Sequence, residues 1–381
     1  MTKPTDTRHP SRREFLVASA SLAAVGLAGC GGERLGGGDD GGAGDGGGDD
    51  DGGGGGSDRA RPDGGGGGPR VVDVYDAQVV SGSTIVDARA TAMFEAGIVA
   101  LANAGDLATA WAQLLPTVDG TTRIGIKVNG RNASLPTSIS ILGKLIADLV
   151  QYRGASRSNI VVWDTLAQDL AKTSNNNVNQ GQAITAANLG GGVTVKGADS
   201  GDGFTTASLT TSEGTKSVPL SNIPLAATDL TINMNLLKHH YGAGVTGAIK
   251  NLAVGCMQSQ FAQQSFHKAH GVDVGVNAIP RTFLPAVVDH LKDRLANLHI
   301  IEGFFAIRDR GPDCPVTDVP GRLLLSTDPV ALDAHELDVI NELRAAKSIA
   351  PVSTTLVDWL DGAVALGLGT RTDYDYVSLT M

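Results

Sequence analysis

The chain has 381 residues, a formal net charge of −10 and an aromatic content of 4%. The negative charge and the lack of a basic stripe argue against a nucleic-acid-binding protein. Its cysteines are Cys30, Cys256 and Cys314, whereas a usual iron–sulfur cluster or an all-cysteine zinc site needs four thiolates. We therefore predict no nucleic-acid partner and no iron–sulfur cluster.

The amino terminus has the pattern of an export signal. The sequence from Ser11 to Leu16, SRREFL, is a twin-arginine motif, and an apolar run too short for a permanent membrane span continues to Ala28. The run ends in LAGC, which resembles the lipobox of bacterial lipoproteins, where the cysteine is lipidated. We predict that residues 1–30 are a twin-arginine lipoprotein signal peptide. Lipidated Cys30 would anchor the exported protein in a membrane, facing the periplasm or the cell surface; a cleaved signal with a chance cysteine is the alternative.

Residues 31–70 are of low complexity and rich in glycine and aspartate. They contain few apolar side chains whose burial could offset the entropy lost on ordering, so we predict a disordered linker. A flexible chain of this length spans roughly 35 Å root-mean-square. The runs lack the ligand spacing of a calcium loop. The linker is therefore interpreted as a tether between the membrane and a globular domain, residues 71–381.

The first half of the globular domain alternates strand and helix patterns. The predicted elements are a strand at 71–80, two helices within 87–116, a strand at 123–129, a helix at 136–152 and a strand at 159–164. The two helices are separated near 103–106, and Pro136 suits the first turn of the next helix. Strand, helix and strand in this order form a βαβ unit, which predicts a parallel sheet.

The second half returns to the sheet after an insertion. Residues 173–228 are rich in Asn, Gly, Thr and Ser, which predicts a small β-rich insertion, interpreted as a subdomain or a lid. The elements predicted after it are strands at 229–235, 298–302 and 323–326 and helices at 245–255, 259–269, 281–294 and 328–346. Together these patterns predict an α/β fold with a mostly parallel sheet flanked by helices.

Polar side chains follow the buried strands. In an open parallel sheet, ligands bind at the carboxyl ends of the strands. The polar residues at the predicted ends are Lys127, Asn129, Asp164, Asn233, Asn235, Glu302 and those from Ser326 to Asp328. We therefore predict a single polar cleft at one edge of the sheet, although Asp164 and Asp328, each taken alone, are better interpreted as helix caps.

The stretch from Asn233 to Asn251 concentrates lysines, histidines and glycines before a predicted helix. Its glycines allow a backbone turn whose N–H groups converge at the helix start, with Lys250 on the same helix. This arrangement predicts a site for a carboxylate or a phosphate; the alternative is a tight turn with a solvated Lys250. A Walker motif is absent because no Ser or Thr follows the lysine, so nucleotide hydrolysis is not predicted.

Histidines near this turn suggest a metal site. His239 and His240 point in opposite directions at a strand end, so only one of them can face the cleft. His267 and His270 lie three residues apart, on one face if their segment is helical. Convergence of His240, His267 and His270 would form a site for a divalent transition metal. The alternative is that they are surface histidines on a polar helix.

Cys256 follows the predicted central helix directly. We interpret it as a buried packing residue, while a soft metal ligand or a disulfide with Cys314 in an oxidising compartment are the alternatives. Asp333 lies beyond the cap position Asp328 and is expected to face the cleft or to pair with a lysine.

Several motifs, in order and spacing, resemble the signature of the bacterial and archaeal domain of unknown function 362 family. They are LKHH at 237–240, GVTGAIKNL at 244–252, IKVN at 126–129 and STDPVALD at 326–333. The resemblance implies a site in which Lys127, His240 and Lys250 are catalytic. It also implies a cofactor- or ligand-binding set made of Asn129, Lys238, Gly244, Thr246, Gly247, Asn251 and Asp333. Many family members append a cysteine-rich ferredoxin-like module, which has no counterpart in this sequence.

A second resemblance is to the nickel-pincer lactate racemases. In those enzymes a histidine precedes a glycine-rich turn and a lysine, and another histidine follows. Here Lys250 lies ten positions after His240 and seventeen before His267, with His270 close behind. The resemblance implies that Lys250 anchors a cofactor or an anion, that His240 is an acid or base, and that His267 or His270 is a metal ligand.

The sequence therefore predicts an exported, lipid-anchored α/β enzyme that acts on a small anionic molecule with the help of a metal or another cofactor. A non-catalytic protein that binds an anionic ligand or a metal ion at the cell surface is the alternative. A structural surface lipoprotein is a third hypothesis, and it predicts that Lys127, His240 and Lys250 lie far apart.

Overall fold

The computed structural model describes residues 68–173, 178–212, 214–262 and 281–381. The predicted signal peptide with Cys30 lies outside the described residues, as do nearly all of the predicted linker, His267 and His270. Within the described ranges, no helix combines the length and apolar character that crossing a membrane requires.

The described chain alternates strands and helices. The strands are β1 Arg70–Tyr75, β2 Val80–Ser81, β3 Thr84–Ile85, β4 Ile124–Lys127, β5 Ile160–Asp164, β6 Thr194–Gly197, β7 Phe204–Thr211, β8 Gly214–Ser221, β9 Leu230–His240, β10 Gly244–Val245, β11 Leu295–Ile307, β12 Arg322–Ser326 and β13 Asp375–Thr380. The helices are α1 Asp87–Ala102, α2 Leu107–Leu114, α3 Ile139–Arg153, α4 Ala167–Leu170, α5 Ala248–Ala253, α6 Ser259–Phe261, α7 Phe283–Leu291, α8 Pro329–Ala345 and α9 Trp359–Ala365.

One nine-stranded sheet organises the fold. Eight of its strands follow the order β13-β1-β12-β11-β9-β4-β5-β6, and β10 pairs with β9. Strands β11, β9, β4, β5 and β6 are parallel to one another, whereas β12 is antiparallel to both of its neighbours. Helices flank this sheet, so the predicted α/β fold with a mostly parallel sheet is confirmed.

Local sequence signals set several element boundaries. Helices α1 and α2 separate at Asn103, which adopts a left-handed conformation with a φ of 51°, in the predicted gap. Helix α3 begins at Ile139 and not at Pro136, because the Ser138 side chain accepts a hydrogen bond from the Ile141 N–H and caps the helix there. Helix α5 begins at Ala248, later than predicted, because Gly244 and Val245 pair with the end of β9 as strand β10.

The region 173–228 divides between two sheets. Strand β6 joins the main sheet as its edge strand beside β5, where it continues the parallel pattern. Strands β7 and β8 form a separate antiparallel hairpin. The β-rich insertion is therefore smaller than the predicted range.

Two apolar cores lie on the two faces of the sheet. One contains Ile126 and Met234 together with apolar side chains of α1, α2 and α3. The other contains Ile301 and Leu324 together with side chains of α5, α7, α8 and α9. The helix that carries Lys250 thus lies on the second face.

The antiparallel direction of β12 corrects the predicted cleft. Strand β12 runs opposite to the parallel strands and ends at Ser326, which lies opposite His299 and donates its hydroxyl to the carbonyl of Arg70, the first residue of β1. Glu302 accepts a hydrogen bond from the hydroxyl of Ser138 at the start of α3, on the face away from α5. The prediction that Glu302 and the residues from Ser326 to Asp328 join the cleft is therefore wrong.

Asp328 instead caps α8, as its position alone predicted. One carboxylate oxygen accepts from the N–H groups of Val330 and Ala331 at 2.8 and 2.9 Å. The other accepts from the N–H of Thr370 at 2.9 Å, so the same carboxylate ties the chain before β13 to the helix.

Replacing Asp328 with alanine should lower the free energy of unfolding by about 2 kcal/mol, because three backbone donors lose their acceptor in a buried position. Urea denaturation monitored by circular dichroism measures the change. Asp106→Ala is the matched control, since Asp106 caps the short helix α2 at an exposed position through the Thr109 N–H. Equal losses in the two variants would contradict the importance assigned to the buried cap.

Candidate functional site

A cavity of about 230 Å³ opens where β4, β5 and β9 end, on the face of the sheet that carries α5. We call it the lysine-lined cavity. Of the residues predicted for the site, the following line it: Lys127, Asn129, Lys238, His240, Thr246, Lys250 and Asn251. The hypothesis of a structural lipoprotein without a cleft is not supported, because Lys127, His240 and Lys250 meet in one cavity.

A network of asparagine amides joins the elements around the cavity. Asn251 on α5 accepts from the amide of Asn129 at 3.2 Å and donates to Asn233 on β9 at 2.8 Å. Asn129, just beyond β4, also donates to Asn235 at 3.2 Å. Asn233 and Asn235 donate in turn to the carbonyls of Ala248 and Gly247 at the start of α5. These buried amides fix the helix against the strands without adding charge.

Lys127 is paired inside the protein. Its amine donates to Asp164 at 2.8 Å and to the carbonyl of Val128 at 2.7 Å, and the side chain is 1% exposed. Asp164 also accepts from the N–H groups of Gly130 and Thr165. Asp164 therefore neutralises Lys127 and holds the loop after β4, so its interpretation as a simple helix cap is wrong.

Each carboxylate that lines the cavity lies beside its own cation. The three pairs are Lys127–Asp164 at 2.8 Å, Lys172–Asp169 at 2.6 Å and Arg131–Asp313 at 3.7 Å. These pairs leave Lys238 and Lys250 without an ion-pair partner in the part of the chain that the structure describes.

Lys238 and Lys250 are both buried, at 1% and 7% exposure. The amine of Lys238 donates to the neutral amide oxygen of Asn129 at 2.9 Å. The amine of Lys250 makes no hydrogen bond to any described residue. Burial lowers the pKa of Lys238 to about 8 and that of Lys250 to about 7, because an ammonium group loses its hydration, and the charge of Lys238 lowers the pKa of Lys250 further. The cavity thus concentrates positive charge that the described residues do not neutralise.

His240 and not His239 lines the cavity, and its tautomer is defined. The Nδ1 atom of His240 accepts hydrogen bonds from the N–H groups of Gly242 and Ala243, both at 3.1 Å. A ring nitrogen that accepts these bonds carries no proton, so a neutral His240 holds its proton on Nε2. Burial lowers the pKa of His239 to about 4 and keeps that ring neutral.

Asp333 occupies the start of α5 at the glycine turn. Its carboxylate accepts from the N–H groups of Ala248 and Ile249, the latter at 2.9 Å, and burial raises the pKa of Asp333 to about 7. Gly247 has a φ of 54°, and a Cβ atom there would lie 2.6 Å from Asp333 Oδ2. The helix start is therefore filled by a carboxylate of the protein, and the prediction that it binds an external anion through converging N–H groups is wrong.

Gly244 serves packing at this turn and not contact with a ligand. It has a φ of 75°, and a Cβ atom there would lie 2.4 Å from a methyl group of Val357. The predicted site residues Gly244, Gly247 and Asp333 thus shape the turn without lining the cavity.

Sequence reasoning missed several residues at the site. Glu336 accepts from the backbone N–H of Lys238 at 3.3 Å, and burial together with the charge of Asp333 raises its pKa well above the usual value. Its spacing of three residues from Asp333 on α8 was a usable signal. Arg131, Tyr241 and Asp313 also line the cavity, but they lie outside regular strands and helices and gave no pattern.

The predicted metal site falls mostly outside the described residues. Only His240 of its three histidines is described, while His267 and His270 are not. Within the described ranges, no group of three or more His, Cys, Asp or Glu side chains could hold a metal ion. The metal site stays a prediction.

The two described cysteines are buried thiols. Cys256 and Cys314 are buried and do not form a disulfide. Burial raises the pKa of Cys256 to about 12, so it remains a thiol that packs in the core. The interpretation of Cys256 as a packing residue is confirmed.

Comparisons with known proteins agree with the motifs. A family model described as "Domain of unknown function (DUF362)" matches residues 124–338, more than half of the chain. A search of curated proteins found no match. Among solved structures, the lactate racemase apoprotein from Thermoanaerobacterium thermosaccharolyticum is similar at 9% identity and a TM-score of 0.36, covering 70% of this chain and 80% of that one. Both resemblances predicted from the sequence are thus found, and the second is too distant to carry a functional argument.

Lys250→Met should change how stability depends on pH. The pKa of Lys250 falls from 10.5 to about 7 on folding, so between these values the unfolded chain binds more protons than the folded protein. This group therefore makes the free energy of unfolding rise with pH above about 7. The variant should lose this rise and should be more stable than the parent at or below neutral pH.

Urea denaturation at a series of pH values between about 6 and 10 tests this expectation. Lys292→Met is the control, because Lys292 is exposed and pairs with Asp289 outside the cavity. Parallel pH profiles for the parent and Lys250→Met would contradict the low pKa of Lys250.

Proposed function

We propose that this chain, which belongs to the domain of unknown function 362 family, is an enzyme that acts on a small anionic molecule bound in the lysine-lined cavity. The proposal depends above all on one observation: Lys238 and Lys250 are buried and have no ion-pair partner among the described residues. Buried charges in proteins are normally paired, because desolvating an isolated ion is costly. An anionic ligand would supply the missing partner.

The cavity also offers neutral groups that can orient an anion. The hydroxyl of Thr246 is buried and has no hydrogen-bond partner in the described structure. A donor left unsatisfied in this way costs free energy that a ligand oxygen would recover. A volume of about 230 Å³ suits a small carboxylate or phosphate.

Two groups favour catalysis over simple capture. An amine whose pKa is about 7 can gain or lose a proton near neutral pH, which is the property required of an acid or base catalyst. His240 adds an imidazole with a defined tautomer in the same lining. A protein that only stores or binds an anion gains nothing from a weakly charged lysine, because a fully protonated amine attracts the anion more strongly.

Anion binding should depend on both lysines. Lys238→Met and Lys250→Met should each weaken the binding of a small carboxylate, such as propionate, or of inorganic phosphate by about tenfold or more, since a hydrogen bond to a charged group is lost. Isothermal titration calorimetry measures the affinity, and Lys292→Met should leave it unchanged.

The same titrations report on Lys250 itself. An anion beside Lys250 raises the pKa of the amine, so binding near neutral pH should take up protons, and the observed enthalpy should vary with the ionisation enthalpy of the buffer. Unchanged anion affinity in both lysine variants would refute the proposed site. Binding without turnover of any substrate would favour the binding-protein alternative.

We also propose that the protein is exported by the twin-arginine route and anchored through lipid on Cys30. The support is the order of the motifs, SRREFL followed by an apolar run and LAGC. The membrane is then a partner through the anchor alone.

Cys30→Ala should abolish the incorporation of a labelled fatty acid when the full chain is expressed in a bacterium with a twin-arginine pathway. Replacing Arg12 and Arg13 with lysine should leave the precursor in the cytoplasm, because that pathway recognises the paired arginines. Metabolic labelling and cell fractionation provide the readout, with Cys314→Ala as a control that retains the label. Labelled protein in the Cys30→Ala variant would exclude this anchor.

A further inference from the structure

Lys250 differs from a buried lysine that is paired within the protein. It lies on the first turn of α5, is 7% exposed and lines the lysine-lined cavity. Lys127, the buried lysine beside it in the lining, donates to Asp164 and to a carbonyl. Lys250 has neither kind of partner among the described residues. Its amine is therefore available to a molecule that enters the cavity.

The surroundings of Lys250 keep its amine partly neutral. The charged groups that act on it are Lys238, Lys127 and Arg131, which oppose protonation, and Asp313, which favours it. The amine of Lys238 is held in position, because it donates a hydrogen bond to the amide oxygen of Asn129 at 2.9 Å. With a pKa of about 7, a substantial fraction of Lys250 carries a free electron pair at neutral pH.

We propose, building on the function above, that Lys250 is a nucleophile that forms an imine with the carbonyl group of a small oxo acid, and that Lys238 holds the carboxylate of that acid. A desolvated lysine beside a second cationic group is an established way to activate an amine towards carbonyl compounds. Lys238 thus supplies a fixed positive charge, and Lys250 supplies the reacting amine.

The bond changes are as follows. The electron pair of Lys250 Nζ attacks the carbonyl carbon, and one proton passes from the nitrogen to the carbonyl oxygen to give a neutral carbinolamine. A second proton converts the hydroxyl group into a leaving water molecule, and the nitrogen pair forms the carbon–nitrogen double bond. The net reaction consumes the amine, the carbonyl compound and one proton, and it yields a protonated imine and water.

His240 is the group placed to move these protons. Its Nδ1 atom accepts from two backbone N–H groups, so the proton of the neutral ring is on Nε2, in a side chain that lines the same cavity. Thr246 adds a buried hydroxyl without a partner among the described residues, which can donate to the carboxylate. The product imine is a cation that withdraws electrons from the neighbouring carbon, so this site suits the cleavage or formation of a bond to that carbon.

Reductive trapping tests the inference directly. The purified full chain is incubated with pyruvate or acetoacetate and sodium cyanoborohydride, which reduces an imine to a stable amine. Peptide mass spectrometry should find one modified lysine, Lys250, whose mass is increased by that of the oxo acid less one oxygen atom. Acetone, which has a carbonyl group but no carboxylate, should give far less adduct.

Variants separate the two lysines. Lys250→Arg should give no adduct while still binding propionate, since the positive charge remains but the nucleophile is lost. Lys238→Met should still be modified at Lys250, at a rate reduced by about tenfold or more, because the carboxylate loses its partner. Circular dichroism establishes that each variant is folded. The trapping experiment on the parent protein tests the proposal even if a variant does not fold.

The outcomes distinguish this inference from the function on which it rests. Propionate and pyruvate that bind without an adduct on Lys250 would overturn the nucleophile and leave the anion site intact. Adducts spread equally over exposed lysines such as Lys292 would overturn it as well. Absence of both binding and adduct would refute the proposed function together with the inference.

Discussion

The carboxylate of Asp333 at the start of α5 is the contact on which the site depends. It accepts from the N–H groups of Ala248 and Ile249 and lies against Gly247, where no other residue has room. This contact fixes the glycine turn on α8, and the turn in turn sets the positions of Thr246 and Lys250. Because the helix start is already occupied by a protein carboxylate, the electrostatic attraction for a ligand comes from side chains and not from the backbone.

The neutral amides around the cavity complete its polar wall and leave the two buried lysines without carboxylate partners. Asn129, Asn233, Asn235 and Asn251 satisfy one another and the backbone, so the polar wall costs little in unsatisfied hydrogen bonds. Had carboxylates stood in these positions, they would have neutralised Lys238 and raised the pKa of both amines. The choice of amide side chains therefore keeps the cavity rigid and positively charged at the same time.

Local and periodic features of the sequence predicted most of the fold and the position of the site. The βαβ unit and the helix break near Asn103 follow from patterns within short segments, whereas the meeting of Lys127, His240 and Lys250 was predicted from the strand ends of a parallel sheet and from the family motifs. The direction of β12 could not be predicted from the sequence. A short apolar strand has the same residue pattern whether it is parallel or antiparallel to its neighbours. The contacts Lys127–Asp164 and Asp333–Ala248 could not be predicted either, since each joins residues far apart in the chain, whose pairing only the folded sheet decides.

The antiparallel strand β12 also determines the direction of β1. Two antiparallel pairings return β1 to the direction of β9, so both strands run towards the same edge of the sheet. In the strand order, however, β12 and β11 separate β1 from β9 and from the cavity beyond it. A substitution or a chemical label at the start of β1 is therefore separated from the cavity lining by two whole strands.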